Sequence, residues 1–171
     1  VPKLLEAGHE VTVYDLMVFG SEGLPAHPRL RAVRGDVRDT ALLASTLTGA
    51  DCVMHLACIS NDPSYELNPQ LSKSINYDCF EPTVAACQRA GVKRFIYASS
   101  SSVYGVSEES DVTEDSPQVP LTDYSKYKGL CERILLRYQS PSFTTVILRP
   151  ATVCGYSPRM RLDLTVNILT N

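Results

Sequence analysis

The stretch Arg94-Phe95-Ile96-Tyr97-Ala98-Ser99-Ser100-Ser101-Ser102 passes from an apolar run, rich in β-forming residues, directly into four serines. An apolar run of this length that ends in polar residues predicts a buried strand finishing at Ala98. In parallel α/β sheets, ligands bind beyond the carboxyl ends of the strands. The four hydroxyl groups are therefore predicted to lie where such a protein would hold its substrate.

A second stretch, Tyr124-Ser125-Lys126-Tyr127-Lys128, opens an amphipathic segment that predicts a helix. Tyr124 and Lys128 are four residues apart and would share one face of that helix. A phenol has a pKa of roughly 10 in water, and a neighbouring ammonium lowers the pKa by favouring the phenolate. Beside a serine hydroxyl, such a phenol can exchange a proton with an alcohol while a nicotinamide exchanges hydride.

The spacing of Tyr124 and Lys128 is also typical of a surface lysine one turn from a half-buried tyrosine. The surrounding sequence favours the chemical interpretation, because the pair follows a strand, a serine cluster, Val103-Tyr104-Gly105 and a polar loop with two prolines. His55 lies within another apolar run and is expected to be a core residue rather than a base.

Strand patterns alternate with helix patterns along the whole chain. Strands are predicted at residues 10–15, 31–34, 52–57, 94–98 and 144–150, and helices at residues 40–47, 71–90 and from Tyr124 onward. Pro82 predicts a kink or an offset start in the second helix. This alternation predicts an α/β fold, a doubly wound parallel sheet with helices on both faces. Several candidate residues follow strands and would meet at one edge, namely Asp15, Asp36, Ala57, Ser100 and Pro150.

The composition narrows the functional class. The chain has 171 residues, 44% of them hydrophobic and 20% charged, with a net charge of −3, so nucleic acid and anionic membranes are not expected partners. No apolar run approaches the roughly 20 residues that span a bilayer. The six cysteines form no Cys-x-x-Cys pair. A reducing compartment, the cytoplasm, is predicted, with neither disulfides nor a metal site.

Taken together, these motifs resemble the extended short-chain dehydrogenases/reductases, specifically the NAD-dependent nucleotide-sugar epimerases and dehydratases. The resemblance covers nearly the whole chain and rests on seven features in the family's order: Asp15, Gly35-Asp36-Val37-Arg38-Asp39, Val53-Met54-His55-Leu56-Ala57, Asn76, the segment from Ala98 to Gly105, the pair Tyr124 and Lys128, and Leu148-Arg149-Pro150. It implies a Rossmann-like fold, NAD as cofactor and a nucleotide-sugar as substrate.

The resemblance also implies a role for each matching position. Tyr124 would be the acid/base, Lys128 would hold the nicotinamide ribose, and Ser100 would be the catalytic hydroxyl, with Ser101 and Ser102 as the next candidates. Asp15 would bind the adenosine ribose and favour NAD over NADP. The other implied cofactor-binding residues are Asp36 and Val37 beside the adenine, Leu56 and Ala57 under the pyrophosphate and nicotinamide ribose, and Asn76 and Pro150.

The sequence departs from the family at both ends. The glycine-rich turn and first strand are absent, so roughly 20 to 25 further residues are expected upstream, and the missing strand would be central in the sheet. Residues 1–158 are interpreted as an N-terminally truncated NAD-binding domain and residues 159–171 as the start of a substrate-binding region. We expect the chain alone to bind NAD poorly and to be inactive.

The serines help to choose the reaction that the resemblance implies. Dehydratases of the family carry an Asp-Glu pair where this chain has Ser101 and Ser102. The first hypothesis is therefore a nucleotide-sugar 4-epimerase, acting by transient oxidation to a 4-keto sugar and hydride return. The alternatives are an NAD-dependent dehydratase, reductase or decarboxylase of such sugars, or a catalytically inactive dinucleotide-binding protein.

Contacts to the substrate are predicted from Ser100, Ser101 and three residues near the end of the chain. Arg159 and Arg161 could face a diphosphate, since guanidinium matches phosphate geometry, but solvated surface arginines are an equal alternative. Asn167 could bind substrate or lie on a helix surface. The resemblance further implies a homodimer formed through the helices at residues 71–90 and 124–138.

Overall fold

The computed structural model describes residues 1–107, 111–155, 157, 167 and 169. Five strands and six α-helices alternate along this part of the chain. In order they are α1 (Pro2–Glu6), β1 (Val11–Asp15), β2 (Leu30–Arg34), α2 (Thr40–Thr46), β3 (Cys52–His55), α3 (Asp62–Glu66), α4 (Pro69–Lys73), α5 (Phe80–Arg89), β4 (Arg94–Ala98), α6 (Asp123–Arg137) and β5 (Thr144–Leu148). The predicted strands and helices are thus present, with ends shifted by a few residues.

All strand pairs within the described residues are parallel, as predicted. They form two sheets, one of β1 and β2 and one in the order β3-β4-β5. The sequence led us to expect one more strand, between the strand ending at Asp15 and the strand ending at Ala57. In the larger sheet His55 pairs with Tyr97, and Ala98 pairs with Leu148, so these strands end at the same edge.

The main core lies between the larger sheet and the helices α2, α5 and α6. Its aromatic centre consists of Phe80, Phe95 and Tyr97, all almost fully buried, with the Phe80 and Tyr97 ring centroids 4.7 Å apart. Leu135 from α6 and Val84 from α5 pack into the same cluster. Burying an aromatic or aliphatic side chain of this kind contributes about 1.5–3 kcal/mol. This core fixes α6 against the end of β4.

The helix predicted at residues 71–90 consists of three parts. α4 continues into a π-helical turn, Ser74–Asp78, before α5 begins at Phe80. Pro82 therefore lies in the first turn of α5, where a missing backbone N–H costs little. The predicted offset start is confirmed, while the π-helical turn had no signal in the sequence pattern.

The predictions from composition concerned disulfides, membrane-spanning segments and metal sites. All six cysteines are free, and Cys79, Cys87 and Cys131 are buried. Burial raises the pKa of the Cys87 and Cys131 thiols to about 12, so these groups stay protonated in the core. Within the described ranges, no helix is both long enough and apolar enough to cross a membrane, and no cluster of three metal-ligating side chains is found.

Gly105 ends the short 3₁₀ turn Ser101–Tyr104, which follows β4. Its φ is +70°, and a Cβ at this position would collide with the carbonyl oxygen of Val119. Gly91, after α5, has a φ of +80°, but its Cβ would meet no atom within 4 Å. Substitutions at these two glycines therefore separate the cost of the left-handed backbone from the cost of the steric collision.

We expect Gly105→Ala to lower the free energy of unfolding by about 3 kcal/mol or more, because a left-handed backbone and a collision are combined. Gly91→Ala should cost only the left-handed conformation, about 1–2 kcal/mol. Urea denaturation of the complete natural protein measures both values.

Gly23→Ala is the matched control, because its Cβ would also meet nothing within 4 Å and its φ is not positive. Its effect should stay within about 0.5 kcal/mol. Equal losses in Gly105→Ala and Gly91→Ala would contradict the close approach of Val119.

Candidate active site at the carboxyl edge of the sheet

Lys128 joins α6 to the end of β4. Its side chain is buried, and Nζ donates a 2.6 Å hydrogen bond to the carbonyl oxygen of Ala98, the last residue of the strand. The same ammonium lies 5.0 Å from the ring centroid of Tyr97 and 5.7 Å from that of Tyr124. The sequence prediction that Tyr124 and Lys128 share one helix face is confirmed.

Tyr124 occupies the first turn of α6, which begins with a capping box. The side chain of Thr122 accepts a hydrogen bond from Ser125 N, and the Ser125 hydroxyl in turn accepts one from Thr122 N. These paired bonds satisfy backbone groups that a helix start leaves open, and thereby fix the direction of the first turn. The half-buried Tyr124 ring is positioned by this cap and by the turn that carries Lys128.

The serines after β4 have different surroundings. Ser99 is buried and donates its hydroxyl hydrogen to Glu132 Oε1. Ser100 is half-buried, and its Oγ accepts hydrogen bonds from the backbone N (3.2 Å) and the hydroxyl (2.8 Å) of Ser102. A hydroxyl has two lone pairs and one hydrogen. With Ser102 engaging the lone pairs, the Ser100 hydroxyl is suited to donate its hydrogen to an oxygen of a ligand.

The residues predicted at the adenosine end lie beyond β1 and β2. Asp15 is exposed, and its Oδ1 accepts a 2.7 Å hydrogen bond from Met17 N. Asp36 is held by the Arg38 guanidinium, with an Nη2–Oδ2 distance of 2.6 Å, and hydrogen bonding from Arg38 lowers the pKa of this carboxyl below its ordinary value. Val37 is buried, so only its backbone and the edge of its side chain can reach a ligand.

The loop after β3 carries the next predicted positions. Leu56 is 68% exposed and Ala57 is also exposed, and their position beneath a bound cofactor stays a prediction. Asn76 is buried in the π-helical turn and bonds both backbone groups of Ile59, accepting from N at 2.8 Å and donating to O at 2.9 Å. Asn76 thus holds the loop, and a direct contact to cofactor stays a prediction.

The remaining predicted site residues lie near β5 and the end of the chain. Pro150 is exposed, and its carbonyl oxygen accepts a 3.0 Å hydrogen bond from Ser101 N, so the serine segment runs beside the residues that follow β5. Asn167 is buried. Arg159 and Arg161 lie outside the described residues.

Several residues near the site had no role in the sequence analysis. The buried Glu132 and the partly buried Arg149 form an ion pair with an Nη2–Oε2 distance of 2.7 Å, and Arg149 Nη1 donates to the hydroxyl of Tyr104 at 2.7 Å. Glu132 lies four residues after Lys128 and thus continues the helix face that carries Tyr124. The four-residue spacing from Lys128 is the feature of the sequence that could have pointed to Glu132.

His55 is a core residue, as expected. It is 7% exposed, and its ring lies 5.3 Å from Phe80 and 5.8 Å from Phe95. Burial, with a smaller contribution from Lys128, lowers the pKa of His55 from the ordinary 6.5 to about 4. The imidazole is therefore neutral at physiological pH.

The buried Lys128 thus bonds the end of β4, where the serine segment begins, and lies one helical turn from Tyr124. The sequence matches the NAD dependent epimerase/dehydratase family over residues 1–168. The chain belongs to this family. The parallel sheet and its carboxyl-edge site are accordingly those of a Rossmann-type fold, and the predicted cofactor, NAD, is the cofactor of the family.

Relatives of this family member differ in their substrates. A 3-beta-hydroxysteroid dehydrogenase of Mycolicibacterium neoaurum is 32% identical over 165 residues, which are 91% of this chain and 44% of that protein. A UDP-glucose 4-epimerase of Lactobacillus helveticus is 29% identical over 137 residues, 79% of this chain and 41% of that protein. The solved structure of MoeE5 in complex with UDP-glucose and NAD has a TM-score of 0.80 and 30% identity, covering 98% of this chain and 54% of its own. The chain spans about half the length of the proteins it matches.

The described residues fit a dinucleotide at this edge. The exposed Asp15 carboxylate has about four acceptor sites, and Met17 N uses one of them. The Lys128 ammonium has three donors, one of which Ala98 O accepts. Ribose hydroxyls can therefore be bound at both ends of the site.

Acidification from about pH 7.5 to about pH 4.5 is expected to destabilise this domain through His55. The unfolded chain binds a proton near pH 6.5 and the folded chain only near pH 4, so the unfolded state takes up more protons between these values. The contribution of neutral His55 is fully present above pH 6.5 and is lost as the pH falls toward 4, amounting to about 3 kcal/mol. Urea denaturation across this pH range measures it.

His55→Phe should remove this part of the pH dependence, because a phenylalanine fits among the same aromatic rings and does not titrate. His9→Gln, which removes an exposed histidine, is the matched control. A slope that is the same in wild type and His55→Phe would contradict the assignment.

Proposed function

We propose that the protein is an NAD-dependent nucleotide-sugar 4-epimerase. The observation that carries this proposal is the Ser100 hydroxyl. Its lone pairs are engaged by Ser102, and it lies two residues after Ala98, the strand end to which Lys128 is bonded. A donor fixed in this way suits a sugar oxygen that alternates between hydroxyl and carbonyl.

Tyr124 exchanges the proton of that sugar hydroxyl in this mechanism. The ammonium of Lys128, which lies near the Tyr124 ring, favours the phenolate, so more of the base form is present to take the proton. Ser100 donates a hydrogen bond to the same oxygen and stabilises it as it becomes a carbonyl. NAD, when bound, would supply a reversible two-electron oxidation of the C4 carbinol, so that the sugar passes through a 4-keto form before it is reduced again.

The surroundings of Ser101 and Ser102 favour epimerisation over dehydration. Elimination of water from the sugar needs an acid and a base beyond the tyrosine. Here the backbone N of Ser101 bonds Pro150 O, and Ser102 bonds Ser100. The side chains at these two positions are hydroxyl groups, which supply neither a carboxylic acid nor a carboxylate. Dehydratase, reductase and decarboxylase chemistry are the alternatives on the same fold.

A second candidate is the oxidation of a steroid alcohol. The observation that favours it is the 32% identity to a 3-beta-hydroxysteroid dehydrogenase over 91% of this chain. Such a reaction would use Ser100, Tyr124 and Lys128 in the same way but would end at the ketone. The two functions therefore differ in substrate and in whether NADH accumulates.

In the proposed complex, Asp15 binds the adenosine ribose, Asp36 and Val37 contact the adenine, and the backbone of Leu56 and Ala57 lies beneath the pyrophosphate. Further parts of the proposal are contacts to the nucleotide-sugar from Ser101, Arg159, Arg161 and Asn167, a domain boundary at residue 158, and a homodimer through the helices at residues 71–90 and 124–138. A cytoplasmic location stays a prediction.

The complete natural protein is expected to interconvert the C4 epimers of a UDP-sugar with no net change in NADH absorbance. Tyr124→Phe should lower kcat by about 10²–10⁴-fold, since the proton acceptor is removed while the ring is retained. Proton NMR of the product, with a panel of UDP- and dTDP-sugars, measures the reaction.

Tyr127→Phe is the matched control on the same helix, because the Tyr127 ring packs against Tyr65 and Tyr77, and it should retain wild-type activity. Accumulation of NADH with a 3β-hydroxysteroid, and no conversion of any sugar, would overturn the proposal in favour of the second candidate.

A further inference from the structure

The ion pair of Glu132 and Arg149 connects separate segments around the serines. The Glu132 carboxylate is 1% exposed and accepts hydrogen bonds from the Ser99 hydroxyl, from Gln118 Nε2 at 2.8 Å and from Arg149 Nη2 at 2.7 Å. Arg149 also donates to Tyr104 OH at 2.7 Å and to Glu114 O at 2.9 Å. The pair therefore joins α6, the end of β4, the 3₁₀ turn, the following loop and the end of β5.

This arrangement is costly to bury. Removing two charges from water costs several kcal/mol per ion, and a well-packed apolar pair of the same volume is often as stable. Glu132 is satisfied on both oxygens, so the penalty is offset, but a large stability gain does not follow. The ion pair instead supplies directional hydrogen bonds, which hold each of its partners at a fixed position relative to α6.

The partner closest to the chemistry is Ser99. Its backbone N donates to Leu148 O at 2.8 Å, while Ser101 N donates to Pro150 O at 3.0 Å. Ser100 lies between these two anchored residues with extended backbone angles, φ −159° and ψ 146°. In extended backbone, neighbouring side chains point to opposite sides. Fixing the Ser99 hydroxyl on Glu132 therefore fixes the direction of the Ser100 hydroxyl.

The helix is adapted to bring Gln118 to the same carboxylate. Gly129 is buried in the middle of α6, and a Cβ there would lie 2.9 Å from Gln118 Oε1. A glycine inside a helix is destabilising relative to alanine. Its presence at the point of closest approach lets the loop contact α6 directly and complete the partners of Glu132.

We propose that Glu132 is a positioning residue that sets the Ser100 hydroxyl relative to Tyr124 and Lys128, acting through Ser99, with Arg149 holding the carboxylate. This inference rests on the proposed function for the role of Ser100. Glu132 and Arg149 need not touch substrate or cofactor.

The sharpest test is Ser99→Ala, which removes the link to Ser100 and leaves the ion pair in place. In the complete natural protein, with NAD and whichever sugar or steroid alcohol it converts, kcat should fall about tenfold, while KM and the Kd of NAD stay within about twofold. Glu132→Gln should lower kcat further, by about a hundredfold. The control is Glu81→Gln in α5, which breaks an exposed ion pair with Arg137 of α6 and should leave kcat unchanged.

A double-mutant cycle separates positioning from stability. If Ser99 acts through Ser100, Ser99→Ala should have no further effect on kcat in the Ser100→Ala protein. A loss that persists in that background, or an unchanged kcat in Ser99→Ala, would overturn the proposal.

If the wild-type protein converts no alcohol, the proposed function fails and hydrogen exchange decides the inference alone. Amides of the segment Ser101–Tyr104 should then exchange at least about tenfold faster in Ser99→Ala and Glu132→Gln than in Glu81→Gln. Equal exchange in all three variants would overturn the inference.

Discussion

The hydrogen bond from Lys128 Nζ to Ala98 O is the constraint on which the site depends. A buried ammonium must find acceptors, and the carbonyl at the end of β4 supplies one. This requirement fixes the rotation of α6, because Lys128 can reach the strand end only if its helix face turns toward the sheet. Tyr124, one turn earlier, and Glu132, one turn later, are then directed to the same region. The chemistry and its support thus follow from a single orientation.

Much of the architecture could be predicted because it rests on patterns of short range. The β-rich run before the serines, the alternation of strands with helices and the spacing of Tyr124 and Lys128 each depend on neighbouring residues in sequence. His55 was correctly expected in the core because its apolar strand implied burial. The shared edge of the strands followed from parallel pairing, which the alternation of elements requires.

Other features could not be read from local pattern. The partners of Glu132 are 14 to 33 residues away in sequence, and a glutamate on an amphipathic helix is normally exposed. The role of Ser99 was hidden because four consecutive serines look alike until their hydrogen bonds are known. The bonds from the Asn76 amide to Ile59, 17 residues away, also had no signal in the local pattern, and its predicted contact to the cofactor stays a prediction. Long-range polar contacts depend on the packed fold.

The π-helical turn at Ser74–Asp78 has a consequence for how this chain can tolerate insertions and deletions. Such a turn accommodates one residue more than an α-helix would, and deleting that residue would restore regular winding. With regular winding restored, the helices before and after the turn would keep nearly the same relative orientation, because a π turn completes one rotation with about one residue more than an α turn. The loss would be local to the turn. Asn76 lies within it and bonds Ile59, so deletion is expected to release the loop after β3 while α5 keeps its apolar face on the core.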